Sequence, residues 1–322
     1  MSSTPSGVTI GVDIGGTKIA AGVVDGGGNI LATARRPTPR HDSGAVLNDV
    51  ADVVNELQAG VDGSIVGVGV GVAGGVDQSR SMVYFAPNLA WSQVPVRAVL
   101  EAATQLPVVV ENDGAAAAWA ETRFGAGVGL EHVVMVTVGT GIGGGIVVDG
   151  HVMRGAHGVA AEIGHLNAVP DGRLCGCGRH GCWEQYASGN ALVREARELA
   201  SERRHEAGAL LALGDGTPEG VQGSHITQAA QMGDPVAVEA FANVGTWLGR
   251  GLADLTAIVD PDAFVIGGGV SEAGDLLLAS ARRTLTEKVF GGSYRPLPQL
   301  LVAQLGNDAG IVGAADLARH TT

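Results

Sequence analysis

The sequence predicts an α/β protein of two domains, and three observations carry that expectation. Its 322 residues exceed the roughly 150 typical of one domain. Short Val-rich runs alternate with stretches of helical periodicity. A strand–turn–strand unit also occurs twice: Val23-Val24-Asp25-Gly26 returns as Val147-Val148-Asp149-Gly150, each after a Gly-Thr turn and before a short third run.

Taken in order, Thr9 to Asp13, Ile19 to Val24 and Asn29 to Ala34 read as an antiparallel meander with turn residues between the runs. Val46, Val50, Val53, Val54 and Leu57 recur at helical spacing, and a strand follows from Ile65 to Val72. A second helix around Val96 to Thr104 precedes the strand Val108-Val109-Val110. The second copy of the unit supplies strands at Val134 to Val138, Ile146 to Val148 and His151 to Met153. Ala240, Phe241, Val244, Trp247, Leu248, Leu252, Leu255 and Ile258 form one apolar helical face and read as core. Gly208 to Ser224, Gly-rich around Thr217-Pro218, reads as a loop, and Phe264 to Ile266 runs into Gly267-Gly268-Gly269 and a helical stretch from Ser271.

Composition narrows the function classes. Hydrophobic residues at 45% support proper cores, and 52 glycines imply many tight turns. A net charge of −13, with no Lys/Arg-rich stretch, argues against nucleic acid as a partner. No apolar run is long enough to span a membrane and the first residues are polar, so the expectation is a cytoplasmic protein without membrane attachment. The three cysteines are an odd number in a chain without an export signal, which favours thiols or a metal over disulfides.

Phosphate binds where backbone N–H groups face a space that side chains leave open. Three Gly-rich loops after β-runs have that character: Asp13 to Lys18, with Gly15, Gly16 and Thr17; Gly139 to Gly145, with Thr140 and Gly141; and Gly267 to Gly269, with Gly268. None fits the Walker A or dinucleotide-binding spacing. Thr beside Gly in both halves suits a nucleotide gripped from two sides, and Asp13 is either a Mg²⁺ ligand through water or a turn cap.

Cys175, Cys177 and Cys182 fall within one short string and, with an imidazole, make a closed tetrahedral zinc set of structural type. His165 is the expected fourth ligand and His180 its competitor. Glu111-Asn112-Asp113 ends a strand before an Ala-rich helix, where ligands collect in α/β folds, yet a helix cap is the other use of such residues. Glu162 and Glu184 flank the metal string, either as hydroxyl-binding groups or as solvated charges.

Together the strings Asp13-Ile14-Gly15-Gly16-Thr17-Lys18, Glu111-Asn112-Asp113, Gly139-Thr140-Gly141-Ile142-Gly143-Gly144-Gly145, Glu162-Ile163-Gly164-His165 and the cysteine run ending at Glu184 resemble the ROK family of sugar kinases and sugar-responsive repressors, its bacterial glucokinase branch most of all. The resemblance implies an actin-like ATPase (ribonuclease H-like) fold with the active site in the interdomain cleft. The expected domains are 1–112 and 113–307, with a C-terminal helix at about 308–322 returning to the first. It implies ATP with Mg²⁺ as donor, a structural Zn²⁺, and glucose or a related hexose as acceptor. Asp113 would be the base on O6. Asn112, Glu162, His165 and Glu184 would bind sugar hydroxyls together with Gly74 and Asn88, and Gly16, Thr17, Lys18, Thr140, Gly141 and Gly268 would contact ATP. A homodimer or homotetramer is expected. Repressors of the family place a helix-turn-helix domain ahead of the motif that begins here at Asp13, so the regulator reading is disfavoured.

Overall fold

The computed structural model describes residues 7–39, 42–61 and 63–321. The Val- and Ile-rich runs form strands β1 (Val8–Ile14), β2 (Lys18–Val24), β3 (Ile30–Pro37), β4 (Ile65–Val72), β5 (Gly75–Val76), β6 (Val83–Ala86), β7 (Trp91–Val94) and β8 (Val108–Asn112). Further along are β9 (Val133–Val138), β10 (Ile142–Val148), β11 (His151–Val152), β12 (Ala263–Gly267) and β13 (Gln299–Val302).

The first sheet has the order β3-β2-β1-β4-β8. The meander β1–β3 is antiparallel, and β4 and β8 run parallel to β1. Asp25 closes the second hairpin, its Oδ1 accepting from the amides of Gly27 and Asn29 at 2.8 and 2.9 Å. Parallel neighbours need long crossovers, and the helices Ser43–Ala59 and Val96–Thr104 supply them. Val46, Val50, Val53, Val54 and Leu57 of the first helix pack with Ile10, Val12, Val68 and Val70 of the sheet.

The helix Ala309–Thr321 also packs on β1 and β4, and here glycine is required. A Cβ on Gly11 would lie 1.9 Å from the Ile311 carbonyl oxygen, and one on Gly69 1.7 Å from that of Ala314. Arg319 then fastens the helix end, donating to Thr9 Oγ1 and the Val24 carbonyl at 3.0 Å each.

The second large sheet repeats the arrangement in the order β11-β10-β9-β12-β13, with β12 and β13 parallel. A small sheet holds β5-β6-β7. The repeat read from the sequence is thus a repeat of strand order. Contacts group the chain into two units: Met1–Met135 with Gly145–Ala161 and Ala303–Thr322, and Val136–Gly144 with Glu162–Val302. The sequence division fell after Asn112, but the helix Asp113–Phe124 groups with the first unit, because it packs backbone to backbone on the C-terminal helix. A Cβ on Gly313 would lie 1.8 Å from the Ala116 carbonyl oxygen.

Three local expectations change. Gly208 to Ser224 is not a plain loop: it contains the helix Gly208–Leu213, anchored by buried Leu210 and Leu211, and the start of the helix Gly223–Gln231. Ile258 is 74% exposed, since it lies about 80° around the helix Pro235–Val259 from Leu248, off the buried stripe. The glycine string after Val138 turns only at 139–141, because β10 already begins at Ile142. Gly145 serves packing, a Cβ there falling 2.5 Å from the Gly114 carbonyl oxygen.

Candidate active site

In the first unit, β8 delivers Glu111 and Asn112 at its carboxyl end and the helix Asp113–Phe124 starts at once. Asn112 is the helix cap: its side-chain oxygen accepts from the Ala115 amide at 3.0 Å. Its Nδ2 donates to the Gly74 carbonyl at 3.2 Å. Gly74 has no room for a side chain, since a Cβ would meet the Phe85 carbonyl oxygen at 2.4 Å. With the cap taken by Asn112, Asp113 sits in the first turn, its Oδ1 accepting from the Gly114 amide at 2.9 Å. Burial pushes the Asp113 carboxyl above the ordinary carboxylate range.

Asp13 is the penultimate residue of β1, which β4 separates from β8 in the sheet. Its pKa is raised to about 6, first by burial and then by the charge of Asp113, with Lys18 opposing. A buried carboxylate whose ionisation a second carboxylate opposes makes a natural seat for a cation. The Asp13–Lys18 loop is a tight turn, with the Gly15 amide donating to the Lys18 carbonyl at 3.0 Å. Thr38 pins it by donating from Oγ1 to the Gly15 carbonyl at 2.8 Å. Thr17 and Lys18 are exposed, and Gly16 lies against Asn88, which is held on the short 3-10 turn Pro87–Leu89.

In the second unit the Gly139-Thr140-Gly141 turn joins β9 to β10. The Gly189 amide donates to the Gly139 carbonyl at 2.7 Å and the Val270 amide to the Val138 carbonyl at 3.0 Å. The turn, the start of the helix Gly189–Glu202 and the Gly267–Gly269 loop therefore adjoin. Gly268 has φ +86°, and a Cβ there would meet the Val138 carbonyl oxygen at 2.5 Å. Backbone N–H groups gathered around glycines in this way suit the oxygens of a polyphosphate chain.

His165, Cys175, Cys177 and Cys182 bring one ligand atom each within 4.8 Å of one another. Tetrahedral coordination at Zn–S of about 2.3 Å and Zn–N of about 2.0 Å requires S···S near 3.8 Å and S···N near 3.6 Å. Cys177 Sγ to Cys182 Sγ measures 3.7 Å, and Cys175 Sγ to His165 Nδ1 also 3.7 Å. The donor set fits a tetrahedral metal. His180 is not part of this group, and its Nδ1 lies 3.0 Å from the Gly172 carbonyl oxygen. Gly164 lets the turn bearing His165 press on β10, where a Cβ would lie 2.1 Å from the Ile142 carbonyl oxygen. Glu184 starts the helix Glu184–Ala187, its Oε1 2.8 Å from Cys175 Sγ and its Oε2 against Gly141. Glu162 is exposed at the head of the 3-10 turn Ile163–His165.

The model of the ROK family matches residues 9–321. The chain belongs to the ROK family. Among its relatives, a glucokinase of Streptomyces coelicolor is 54% identical over 98% of each chain. A glucokinase of Thermotoga maritima is 35% identical over 97% of each. A ROK family glucokinase from Streptomyces griseus, solved in complex with glucose and AMPPNP, superposes with a TM-score of 0.86 at 52% identity, covering 98% of this chain and 100% of that one. ROK structures carry the actin-like ATPase fold, and this chain shares it.

Sequence reading of this ROK chain passed over several residues that build the site. Thr38 and Gly189 hold the two loops, and neither lies in a recognisable string. Arg154 reaches Glu111 across a long stretch of sequence, with Nε 2.9 Å from Oε2. Glu121, fully buried, accepts from the amides of Ala126, Gln304 and Leu305 at 2.8 to 2.9 Å. A charged residue amid the apolar Ala-rich run was the one available signal.

Proposed function

We infer that this chain phosphorylates glucose at the expense of ATP, giving glucose 6-phosphate, with Asp113 as the catalytic base. Relatives called glucokinase match it over 98% of this chain, which supports the reaction. The observation that carries the assignment is that Asn112 takes the helix cap, so Asp113 is left with a carboxyl whose proton affinity is raised by burial. A general base works best as its pKa approaches the working pH. Asp113 would orient the sugar hydroxyl and accept its proton as the bond to phosphorus forms, in a transfer where positioning and charge neutralisation dominate.

Asn112, Gly74, Asn88, Glu162, His165 and Glu184 would bind sugar hydroxyls. Asn112 is held for this by its bond to the Gly74 carbonyl. His165 would offer Nε2, its Nδ1 being turned to the cysteines. Gly139, Thr140, Gly141 and Gly268, with Gly15, Gly16, Thr17 and Lys18, would hold the nucleotide. Mg²⁺, when bound, neutralises phosphate charge; Asp13 is the residue to seat it, having a hard oxygen donor whose ionisation is costly without a cation. The cysteine–histidine set would hold Zn²⁺ as a closed structural site, leaving no open position for a reacting water.

The test is ADP release across a panel of glucose, fructose, mannose, N-acetylglucosamine and N-acetylmannosamine, with ATP or polyphosphate as donor. Glucose with ATP should give the largest kcat/KM. Asp113→Asn should lower kcat by about 10²–10⁴-fold while glucose still binds, and near-normal turnover would refute the base assignment. Light scattering on the same preparation checks the homodimer or homotetramer that the family implies.

A further inference from the structure

Glu111, Arg154 and Arg80 form a buried charge cluster directly behind Asn112 and Asp113. Glu111 is 2% exposed. Its Oε2 lies 2.9 Å from Arg154 Nε and 3.1 Å from Arg80 Nε. Its Oε1 accepts from the backbone amide of Asn112 at 2.9 Å. The carboxylate thus holds the peptide that leads into the catalytic turn, and two guanidinium groups hold the carboxylate.

Arg154 does more than neutralise Glu111. Its Nη1 donates to the Gln78 carbonyl at 2.9 Å and its Nη2 to the Asp77 carbonyl at 3.1 Å. One planar fork therefore joins the end of β8 to the turn that follows β5, and β5 begins at Gly75, next to the Gly74 carbonyl that Asn112 grips. That turn is itself fixed. Asp77 Oδ1 accepts from the amides of Ser81 and Met82 at 2.6 and 2.7 Å, and Arg80 sits at φ +56° with its carbonyl accepting from the Val110 amide at 3.0 Å. Downstream, Gly158 rests on the same strand: at φ +84°, a Cβ there would lie 2.3 Å from the Val76 carbonyl oxygen. Gly158 is four residues before Glu162 in the chain.

We propose that Arg154 is a positioning residue for the sugar, setting through Glu111 and the Asp77–Gln78 carbonyls the placement of Asn112, Gly74 and Asp113. Burying three charges is costly, and an apolar cluster of the same volume would stabilise the fold at least as well. What the charged version adds is direction. Arg154 presents three N–H groups in one plane to three acceptors on two chain segments, an arrangement a lysine ammonium cannot reproduce. The acceptors of the Arg154 fork lie at Glu111, Asp77 and Gln78, outside the nucleotide loops.

The proposal rests on the hexose-kinase reading, and its test separates the two. Arg154→Lys keeps the positive charge beside Glu111 but loses the fork. The steady-state constants for glucose and for MgATP are measured separately, with glucose binding by calorimetry and a thermal melt of each protein. For Arg154→Lys we expect a fall in kcat/KM for glucose of about 10-fold or more, shared between a weaker glucose Kd and a lower kcat. The KM for MgATP should stay within about twofold, as the fork's acceptors lie at Glu111, Asp77 and Gln78. Unchanged glucose constants in a folded Arg154→Lys, an equal fall for both substrates, or failure of this charge-conserving variant to fold would each overturn the positioning role. If the unaltered chain neither binds nor phosphorylates glucose, the hexose-kinase reading fails instead, and the inference with it.

Discussion

Asp13 shows how a single carboxyl can be set against the stability of its own fold. Its pKa rises from 3.8 to about 6 through burial and then the charge of Asp113. A carboxyl held above its unfolded value binds its proton more tightly when folded, so the stability it lends is full below about pH 4 and is lost as pH rises through about 6. Above that the loss reaches up to about 3 kcal/mol. Asp13→Asn removes the cost. In magnesium-free buffer the variant should melt higher than wild type at pH 8 and equally at pH 4, while its turnover with MgATP drops sharply. An equal gain in Tm at both pH values would show that charge is not the cause. The same residue shows what sequence reading can and cannot reach. The string Asp13-Ile14-Gly15-Gly16-Thr17 suggests a phosphate loop by glycine chemistry alone. Whether Asp13 capped a turn or faced a ligand depended on Asp113, a distant residue whose approach no local pattern encodes.

At the scale of elements, the proposed metal would be what orders the Cys175–Cys182 segment. Cys175, Gly181 and Cys182 are buried, while residues 176–180 and the preceding Leu174 are exposed, so few apolar contacts hold it. Its isolated bridges, Asn167 with Cys182 and Leu174 with His180, are short ones. The spacing of the cysteines made a tetrahedral set legible and His165 the expected fourth ligand, with His180, also near in sequence, as its competitor. Only the fold shows Gly164 seating His165 on β10 while His180 turns to the Gly172 carbonyl. Elemental analysis of fresh protein should find about one zinc per chain. Cys177→Ala should lose it and melt lower, since a structural zinc contributes on the order of 10 kcal/mol in small peptide domains. Because Glu184 is next to Cys175, glucose affinity should fall along with the metal. Metal-free protein with wild-type melting and glucose binding would defeat the structural role.

At the scale of the molecule, the two sheets share one strand order, and this was readable because a repeated turn leaves a repeated string. The closure of the first unit was less readable. The chain leaves that unit after Ala161 and returns only at Ala303, so residues that pack together lie some three hundred positions apart. Their complementarity is written in glycines that look unremarkable in a Val-Gly-Val-Gly run. Gly11 and Gly69 point at the backbone of the returning helix, and Gly313 on that helix points at the helix of Asp113. The first unit is thus completed by the returning helix, on which the Asp113 helix packs. Gly69→Ala tests this. The added methyl would lie 1.7 Å from the Ala314 carbonyl oxygen, and the neighbour is backbone, so the helix itself has to move. Overpacking of this kind costs about 1–3 kcal/mol or more. The melt should shift down, and kcat should fall beyond what the unfolded fraction explains, because the displaced helix carries the Asp113 helix with it. Gly233→Ala is the control: no atom lies within 4 Å of its Cβ position, so its cost is the backbone strain of φ +84° alone. It should lower the melt without touching kcat in the folded fraction. A Gly69→Ala enzyme that lost stability but kept full turnover per folded molecule would show that the returning helix supports the fold without setting the site.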